Sequence, residues 1–196
     1  MKTIKFAFVA LAAMLMMVSC GSDNKEAAGE GKGKGKDGGN QFEIVNPKAQ
    51  WEGQEIIELV STSCEMEDYS VESGIMTGSV TIPVLRLKFK LLKNVADVNN
   101  VYAPIKALDK DDSPVRYLGK KAVFKIYDSA QGDKLENLIS SGKVGDIVEV
   151  KYRLNVKELN VDSECQKVKE QIKKIKFDDL LLRIKEAADA ENMISF

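Results

Sequence analysis

The residue types available for chemistry are limited by one compositional fact: the 196-residue chain contains no histidine. Without imidazole there is no Ser-His-Asp or Cys-His machinery and no histidine-bearing zinc site. The densest carboxylate group is Glu65, Glu67 and Asp68. Glu65 and Glu67 fall on the outward face of a predicted strand, whereas glycoside hydrolysis needs carboxylates that converge across a cleft. The sequence therefore predicts no enzymatic activity, no catalytic residue and no cofactor.

A second acidic segment, residues 109–113, reads Asp-Lys-Asp-Asp-Ser and resembles the opening of a calcium loop with oxygen ligands at alternate positions. The match fails further along. Pro114 stands where the loop needs glycine, and Lys120 stands where the bidentate glutamate should be. We expect a solvated turn and no metal site.

Two cysteines, Cys64 and Cys165, both point toward the core in the predicted elements that carry them. If the compartment permits oxidation, a disulfide between them would tie the C-terminal helix to the sheet. Closing a loop of this length contributes up to about 4.7 kcal/mol in the chain-entropy model. The alternative is two separately buried thiols, and the sequence leaves both possibilities open.

The remaining cysteine, Cys20, follows a basic start with Lys2 and Lys5 and an apolar stretch over 6–18. That stretch is too short to span a bilayer as a helix, and small residues precede Cys20, as at a cleavage site. The segment resembles the signal peptide and lipobox of bacterial lipoproteins, with residues 1–19 as the signal peptide. The resemblance implies a diacylglycerol thioether on Cys20 and an acylated new N-terminus, which together anchor a protein stably in a membrane. An ordinary secretory signal with an incidental cysteine is the alternative.

The residues after Cys20 bear on the destination. Gly21 replaces the aspartate that resembles an inner-membrane retention signal, so we expect the outer membrane. The acidic segment 22–26 resembles a surface-export signal, and periplasmic and surface-facing display stay open. Residues 20–40 are otherwise rich in Gly and Lys and predict a flexible tether.

Within the tether, residues 33–38 match the dinucleotide fingerprint G-x-G-x-x-G. That motif binds pyrophosphate only between a buried strand and a helix, and neither flanks it here. We interpret it as linker.

Residues 41–196 are enough for a single globular domain with a substantial core. The formal net charge of −1 gives no global basic field for nucleic acid, so no nucleic-acid partner is expected. The basic face of Arg86, Lys88 and Lys90 could contact anionic polysaccharide or lipid headgroups, but such charges usually keep a sheet soluble.

Alternating apolar residues predict strands over 55–67, 85–91, 122–127 and 147–156, and shorter strands are expected around four further positions. Those four are Val71, Val80, Ile105 and Val115. A short helix capped by Asp133 and ending near Gly142 lies between the last two long strands. Because long helical crossovers are missing, the pattern favours an antiparallel sandwich over a parallel sheet.

The alternating strand 84–94, the turn at 142–146 and the strand 147–156 are similar to the immunoglobulin-like sandwich of many bacterial lipoproteins. The resemblance implies an immunoglobulin-like antiparallel β-sandwich, mainly β, and no activity. Trp51 departs from the antibody-type arrangement, because it precedes both Cys64 and Cys165 instead of lying between them.

The C-terminal segment, from about 163, predicts a helix capped by Asp162 or Ser163. Its apolar stripe comprises Cys165, Val168, Ile172 and Ile175. Asp179 interrupts this stripe, and a rotated second stripe follows. It comprises Phe177, Leu180, Leu181, Ile184 and Ala188. We expect a kink or two helices, with a terminal strand through Leu180, Leu182 and Ile184 as the alternative.

These features predict a membrane-anchored lipoprotein that acts as a non-catalytic binding or assembly module for a protein or glycan at the cell envelope. A carboxylate-based glycan hydrolase and a purely structural envelope component are the alternatives. A deep cleft with two converging carboxylates would favour the hydrolase, and an exposed apolar or aromatic patch would favour the binder.

Overall fold

The computed structural model of the protein describes residues 41–73 and 75–184. These residues are mainly β, as predicted, with several antiparallel sheets and two helices. Cys20, the tether and Ala188 lie outside the described residues. Among the described helices, none is long and apolar enough to cross a membrane.

The strands and helices alternate irregularly along the chain, without repeated β-α-β units. In chain order they are β1 (Glu43–Val45), β2 (Lys48–Trp51), β3 (Gln54–Ser73), β4 (Met76–Leu91), β5 (Val98–Tyr102), β6 (Ile105–Leu108), β7 (Arg116–Tyr117), β8 (Lys120–Lys121), β9 (Phe124–Ile126), α1 (Ser129–Ser141), β10 (Ile147–Leu154), α2 (Asp162–Gln171), β11 (Lys174–Phe177) and β12 (Leu181–Ile184).

The largest sheet has five antiparallel strands in the order β2-β3-β4-β10-β9. A smaller sheet, β1-β11-β6, contains a parallel pair, β1 with β11. The rings of Phe89 on β4 and Phe177 on β11 lie 5.3 Å apart, so the small sheet packs against one face of the large one. We call this the inner face. Two further pairs, β5 with β12 and β7 with β8, complete the described strands.

The strand β4 confirms the alternation seen in the sequence. Leu85, Leu87, Phe89 and Leu91 are fully buried on the inner face. The separate short strands expected around Val71 and Val80 are instead the continuation of β3 and β4, which pair without a break from Leu87 to Met76. This pairing merges the short segments because each added residue pair extends the same antiparallel ladder.

Helix α1 buries the predicted residues Leu135, Leu138 and Ile139 and ends at Gly142, as expected. Its predicted cap, Asp133, was wrong. Asp128 caps the helix, and its side chain accepts a hydrogen bond from the Gln131 N–H at 2.9 Å. Both aspartates suit a cap by type, but only Asp128 follows the end of β9 directly enough to start the helix there.

Helix α2 buries Cys165 and Val168, but the predicted cap by Asp162 or Ser163 was wrong. The Asp162 carboxylate instead accepts a hydrogen bond from the Thr81 N–H at 2.6 Å and ties α2 to β4. The helix also ends earlier than the apolar stripe suggested. Ile175 lies on β11, because cross-strand pairing with β1 and β6 satisfies its backbone better than an exposed helix end.

The predicted second helix in the C-terminal segment is also absent from the described residues, where β12 pairs with β5. This is the terminal strand that the sequence left as the alternative. Leu180 is buried just before it, and Leu182 is half-buried. The segment therefore follows the period-two pattern of a strand and not the helical pattern, because β12 can pair with the edge of β5.

Candidate functional site

The basic and acidic faces singled out in the sequence meet on the outer face of the five-stranded sheet. Arg86 Nη2 lies 2.8 Å from carboxylate oxygens of both Glu65 and Glu67. Lys151 Nζ lies 2.9 Å from Glu67, and Glu149 lies 3.6 Å from Arg86. We call these five residues the Arg86 cluster. Of the candidate carboxylates, Glu65 and Glu67 are thus paired with cations, and Asp68 accepts a hydrogen bond from the Thr81 hydroxyl at 2.8 Å.

The carboxylates of the cluster favour the charged form of Arg86. Burial lowers the pKa of Arg86, but the surrounding carboxylates of Glu65, Glu67 and Glu149 outweigh burial, so that the pKa is raised. Lys88 and Lys90, the other members of the predicted basic face, form no ion pair among the described residues. The predicted patch is therefore split: Arg86 is neutralised, and the two lysines stay free.

Aromatic rings flank the cluster. The Arg153 guanidinium lies 4.3 Å from the centre of the Tyr69 ring, and Lys151 Nζ lies 5.6 Å from the Tyr127 ring. Tyr69 and Tyr127 meet edge to face at 6.0 Å. Both rings already have a cationic partner, so this face is organised internally and offers little open aromatic surface.

The Asp109 segment forms a turn closed by its own side chain. Asp109 Oδ1 accepts hydrogen bonds from the N–H groups of Asp111 and Ser113, both at 2.9 Å. Lys174 binds Asp112 at 2.8 Å, and Lys110 binds Asp111. These contacts explain the acidic residues as turn-forming and ion-paired groups. Among the described residues, no group of three or more Cys, Asp or Glu is arranged to hold a metal ion.

The two core cysteines are buried free thiols in the structure. Burial raises the pKa of Cys64 to about 12, although nearby Lys169 opposes the shift. Burial also raises the pKa of Cys165 to about 11, with Asp162 adding to it. Both thiols are therefore unreactive at neutral pH, as expected for core residues. The disulfide that the sequence left open stays a prediction.

A predominantly apolar groove lies elsewhere, along β9 at the edge of the five-stranded sheet. A groove of about 390 Å³ runs between β9 and the segment that joins β5 to β6. We call it the β9 groove. Its lining residues are Tyr102, Ala103, Pro104, Val123, Phe124, Lys125, Ile126 and Tyr152. No carboxylate is among these residues.

A buried hydrogen bond fixes the two walls of the groove relative to each other. The Tyr152 hydroxyl, on β10, donates to the Ala103 carbonyl at 3.0 Å. Tyr152 is almost completely buried, and burial raises the pKa of its hydroxyl far above the ordinary value. The hydroxyl therefore stays protonated and can donate to Ala103. Because this hydrogen bond holds the two walls together, the groove is largely preformed.

Comparison with known proteins gives no precedent for this groove. No family model, curated protein or solved structure matches the chain. The groove must therefore be interpreted from its own residues and from those around it.

Exposed apolar side chains extend from the groove in both directions. Tyr102 is 59% exposed and lies opposite Leu181, which is 63% exposed, in the β5–β12 pair. Val123 is 48% exposed and also lines a second cavity of about 260 Å³ beside Leu118. Of the eight exposed large apolar side chains among the described residues, four lie along this line. Exposed apolar side chains grouped in this way are a typical feature of interaction surfaces.

The turn between β7 and β8 presents Leu118 at unusual backbone geometry. Leu118 and Gly119 have φ angles of 48° and 76°, the positive pair typical of a type I′ hairpin turn. Glycine and asparagine favour this conformation, whereas leucine in it costs about 1–2 kcal/mol. This exposed leucine therefore does not stabilise its turn as glycine or asparagine would.

Sequence reasoning missed this groove, although it placed Phe124 and Ile126 on a strand. The available signal was Val123, an apolar residue at an outward position of the alternating segment 122–127, together with Leu118 directly before Gly119. The other wall of the groove, residues 102–104, comes close to β9 only in the folded protein. The sequence around it therefore gives no local signal of the groove.

Proposed function

We propose that the protein is a lipoprotein anchored in the outer membrane through Cys20, and that its domain is a non-catalytic binding or assembly module at the cell envelope. The lipobox-like signal at 1–20 supports the anchor, and the Gly- and Lys-rich segment up to residue 40 supports a tether. The domain faces the periplasm or the cell exterior and takes a protein or glycan ligand.

The observation that carries the binding role is the β9 groove. It is largely apolar and free of carboxylates, and Tyr102 and Val123, which line it, remain exposed. Preformed grooves with a few polar groups are typical ligand sites. Main-chain and apolar contacts would bind a ligand there, and the lining lacks the pair of carboxylates that glycoside hydrolysis needs.

The paired carboxylates argue against the hydrolase alternative. A retaining or inverting glycosidase needs one protonated carboxylic acid and one carboxylate on opposite sides of the scissile bond. Glu65 and Glu67 instead share Arg86 as a partner, with each carboxylate 2.8 Å from its guanidinium. The most conspicuous acidic pair of the chain is thus occupied in holding adjacent strands together.

For the fold, we propose the immunoglobulin-like form of the sandwich. Its support is the packing of the three-stranded sheet on the five-stranded one through Phe177 and Phe89. The strand order β2-β3-β4-β10-β9 and the parallel β1–β11 pair are the features to compare with that family. An experimental structure with a strand order outside that family would contradict this part of the proposal.

The anchor is tested by growing cells that express the protein with radiolabelled palmitate and then separating their membranes. We expect label on the protein and recovery in the outer-membrane fraction, both lost in Cys20→Ser. The matched control Cys64→Ser should keep the label, because that cysteine is buried. Label that survives in Cys20→Ser would contradict the proposal.

The binding role is tested by chemical crosslinking in cells, with a glycan array probed in parallel. One specific protein partner or one glycan class is the expected result. Blank arrays together with no specific crosslinked partner would contradict a binding module.

A further inference from the structure

We propose that the β9 groove binds an extended, acidic peptide segment of a protein partner, which adds to the sheet as a strand beside β9. This inference rests on the proposed binding function and specifies its ligand and its site. It follows from the free main-chain groups of β9, from the apolar groove beside them and from the unpaired lysines around it.

On one side, the main chain of β9 has no hydrogen-bond partner among the described residues, where Phe124 is 6% exposed and Ile126 is half-buried. The Tyr127 N–H donates to the Lys151 carbonyl at 2.9 Å, and the Asn155 N–H donates to the Val123 carbonyl at 2.8 Å. In an antiparallel ladder these bonds direct the odd-numbered residues of β9 toward β10. The N–H and C=O groups of Phe124 and Ile126 therefore point away from the sheet. Within the described residues, β9 pairs with β10 alone.

An incoming strand would find side-chain pockets as well as hydrogen-bond partners. When a peptide adds to a sheet edge, its main chain supplies affinity and its alternate side chains enter adjacent pockets. The groove lies along this free edge and is closed on its far side by Tyr102 and Pro104. Apolar side chains at every second position of the peptide fit this geometry.

The charge around the edge selects an acidic peptide. Four exposed lysines lie at or beside it: Lys125 lines the groove, and Lys120, Lys121 and Lys157 line the adjacent cavity. Within the described residues none of them has an ion-pair partner. The adjacent cavity contains one carboxylate, Glu158, which accepts a hydrogen bond from the Tyr117 hydroxyl at 3.1 Å.

The same lysines oppose the most obvious competing occupant, a second copy of the chain. Two β9 edges would bring like charges together, which is how natural proteins use lysine to prevent edge-to-edge association. The lysines attract an acidic strand and repel a second copy of the chain. The edge is therefore selective as well as open.

The main-chain contact is tested with a matched pair of substitutions at Ile126. Ile126→Pro removes the outward N–H without touching the bonds to β10, and Ile126→Ala removes the same side chain but keeps that N–H. The probe is a short capped peptide in which glutamate alternates with valine, titrated by fluorescence anisotropy against the full chain carrying Cys20→Ser. We expect Ile126→Pro to bind about tenfold more weakly than Ile126→Ala, the equivalent of about one hydrogen bond. Equal binding would overturn the proposal.

A second pair of variants tests charge on an intact fold. Lys120→Glu/Lys121→Glu should abolish binding of the glutamate peptide, whereas Lys88→Glu/Lys143→Glu, of equal charge on other surfaces, should leave it within about twofold. A peptide in which lysine alternates with valine should not bind. Equal binding of both peptides would overturn the proposal.

Three further outcomes separate this inference from the proposed function. Dimerisation of the chain through β9 would overturn the inference, as would binding to anionic phosphatidylglycerol vesicles without binding to the peptide. If crosslinking in cells captures a specific partner but the Ile126 pair binds equally, the inference fails and the binding function stands. If no partner and no glycan is found, the proposed function itself fails.

Discussion

The Arg86 cluster and the β9 groove lie on the same five-stranded sheet and use charge in opposite ways. In the cluster, Arg86 and Lys151 are both within 2.9 Å of Glu67. Around the groove, Lys120 and Lys121 have no such partner among the described residues. Paired charges hold neighbouring strands in register, whereas unpaired charges beside exposed apolar residues are available to a ligand.

The comparison shows why charge count alone is a poor guide to function. The Arg86 region is denser in ionisable residues and attracts attention in the sequence, yet its charges are satisfied internally. The groove is recognised instead by groups that lack partners within the described residues. The main-chain groups of Phe124 and Ile126 lack hydrogen bonds, the nearby lysines lack ion pairs, and the side chains of Tyr102 and Val123 are exposed. Each prediction below tests one side of this contrast.

The largest effect is expected in the core that supports both regions. Phe89 is fully buried and packs on Tyr152 at 6.3 Å and on Phe177 at 5.3 Å between ring centres. We expect Phe89→Ala to lower the free energy of unfolding by about 3–5 kcal/mol. The neighbouring Lys88→Ala should change it by less than about 0.5 kcal/mol, because that side chain is exposed. Urea denaturation measures both, and equal effects would contradict the inward orientation of Phe89.

The next largest effect is expected at Glu67 and distinguishes the Arg86 cluster from the β9 groove. Glu67 is 21% exposed and bridges Arg86 and Lys151, so Glu67→Ala leaves two half-buried cations without their shared partner. We expect a loss of about 1–2 kcal/mol in unfolding free energy, intermediate between exposed and buried pairs. Binding of the glutamate peptide should be unchanged. The contrast fails if Glu67→Ala weakens peptide binding without affecting stability.

At Leu118 we expect a substitution to raise stability and weaken peptide binding, in contrast to the Glu67 result. Leu118→Asn relieves the positive φ of 48° and should stabilise the domain by up to about 1 kcal/mol. Peptide binding should weaken, because the exposed leucine contributes apolar contact next to the groove. Thermal unfolding and anisotropy measure the two effects on one sample. A variant that is more stable and binds equally well would show that Leu118 has no part in recognition.

The smallest effect concerns alkaline pH and the buried thiols. The pKa of Cys64 is raised from its ordinary 9.0 to about 12, so its contribution to stability is present below about pH 9 and lost as the pH rises toward 12. Between pH 8 and pH 10, the unfolding free energy of the Cys20→Ser chain should fall more steeply than that of the same chain with Cys64→Ala. Equal slopes would contradict this account of Cys64.

A disulfide between Cys64 and Cys165 would remove both titrating groups and this slope. Thiol counting on the Cys20→Ser chain in urea without reductant distinguishes the states: two thiols match the structure, and none would indicate the bridge.

The sequence predicted those parts of the fold that are encoded in local periodicity. The stripe through Leu85, Leu87 and Phe89 and the end of α1 at Gly142 are local patterns, and both are found. The early end of α2 was not predictable in this way, because the residues after it are strands only through pairing with distant segments.

The candidate site was predictable to a smaller extent than the fold. Charged residues such as Glu65, Glu67 and Arg86 drew the functional hypotheses, but their mutual pairing depends on strand register, which the sequence does not display. The β9 groove joins Tyr102 and Val123, which belong to separate segments brought together by the Tyr152–Ala103 hydrogen bond. A search for patterns within one segment of the sequence cannot detect a groove that two distant segments form together.

The most direct test of a binding module that works through β9 is position-specific photocrosslinking in living cells. The photoreactive residue p-benzoylphenylalanine is placed at position 123, beside the groove, or at position 88, on the face of the Arg86 cluster. We predict one specific protein adduct from position 123 that disappears with Ile126→Pro, and no such adduct from position 88. The same adduct from both positions, or one from position 88 alone, would contradict the account.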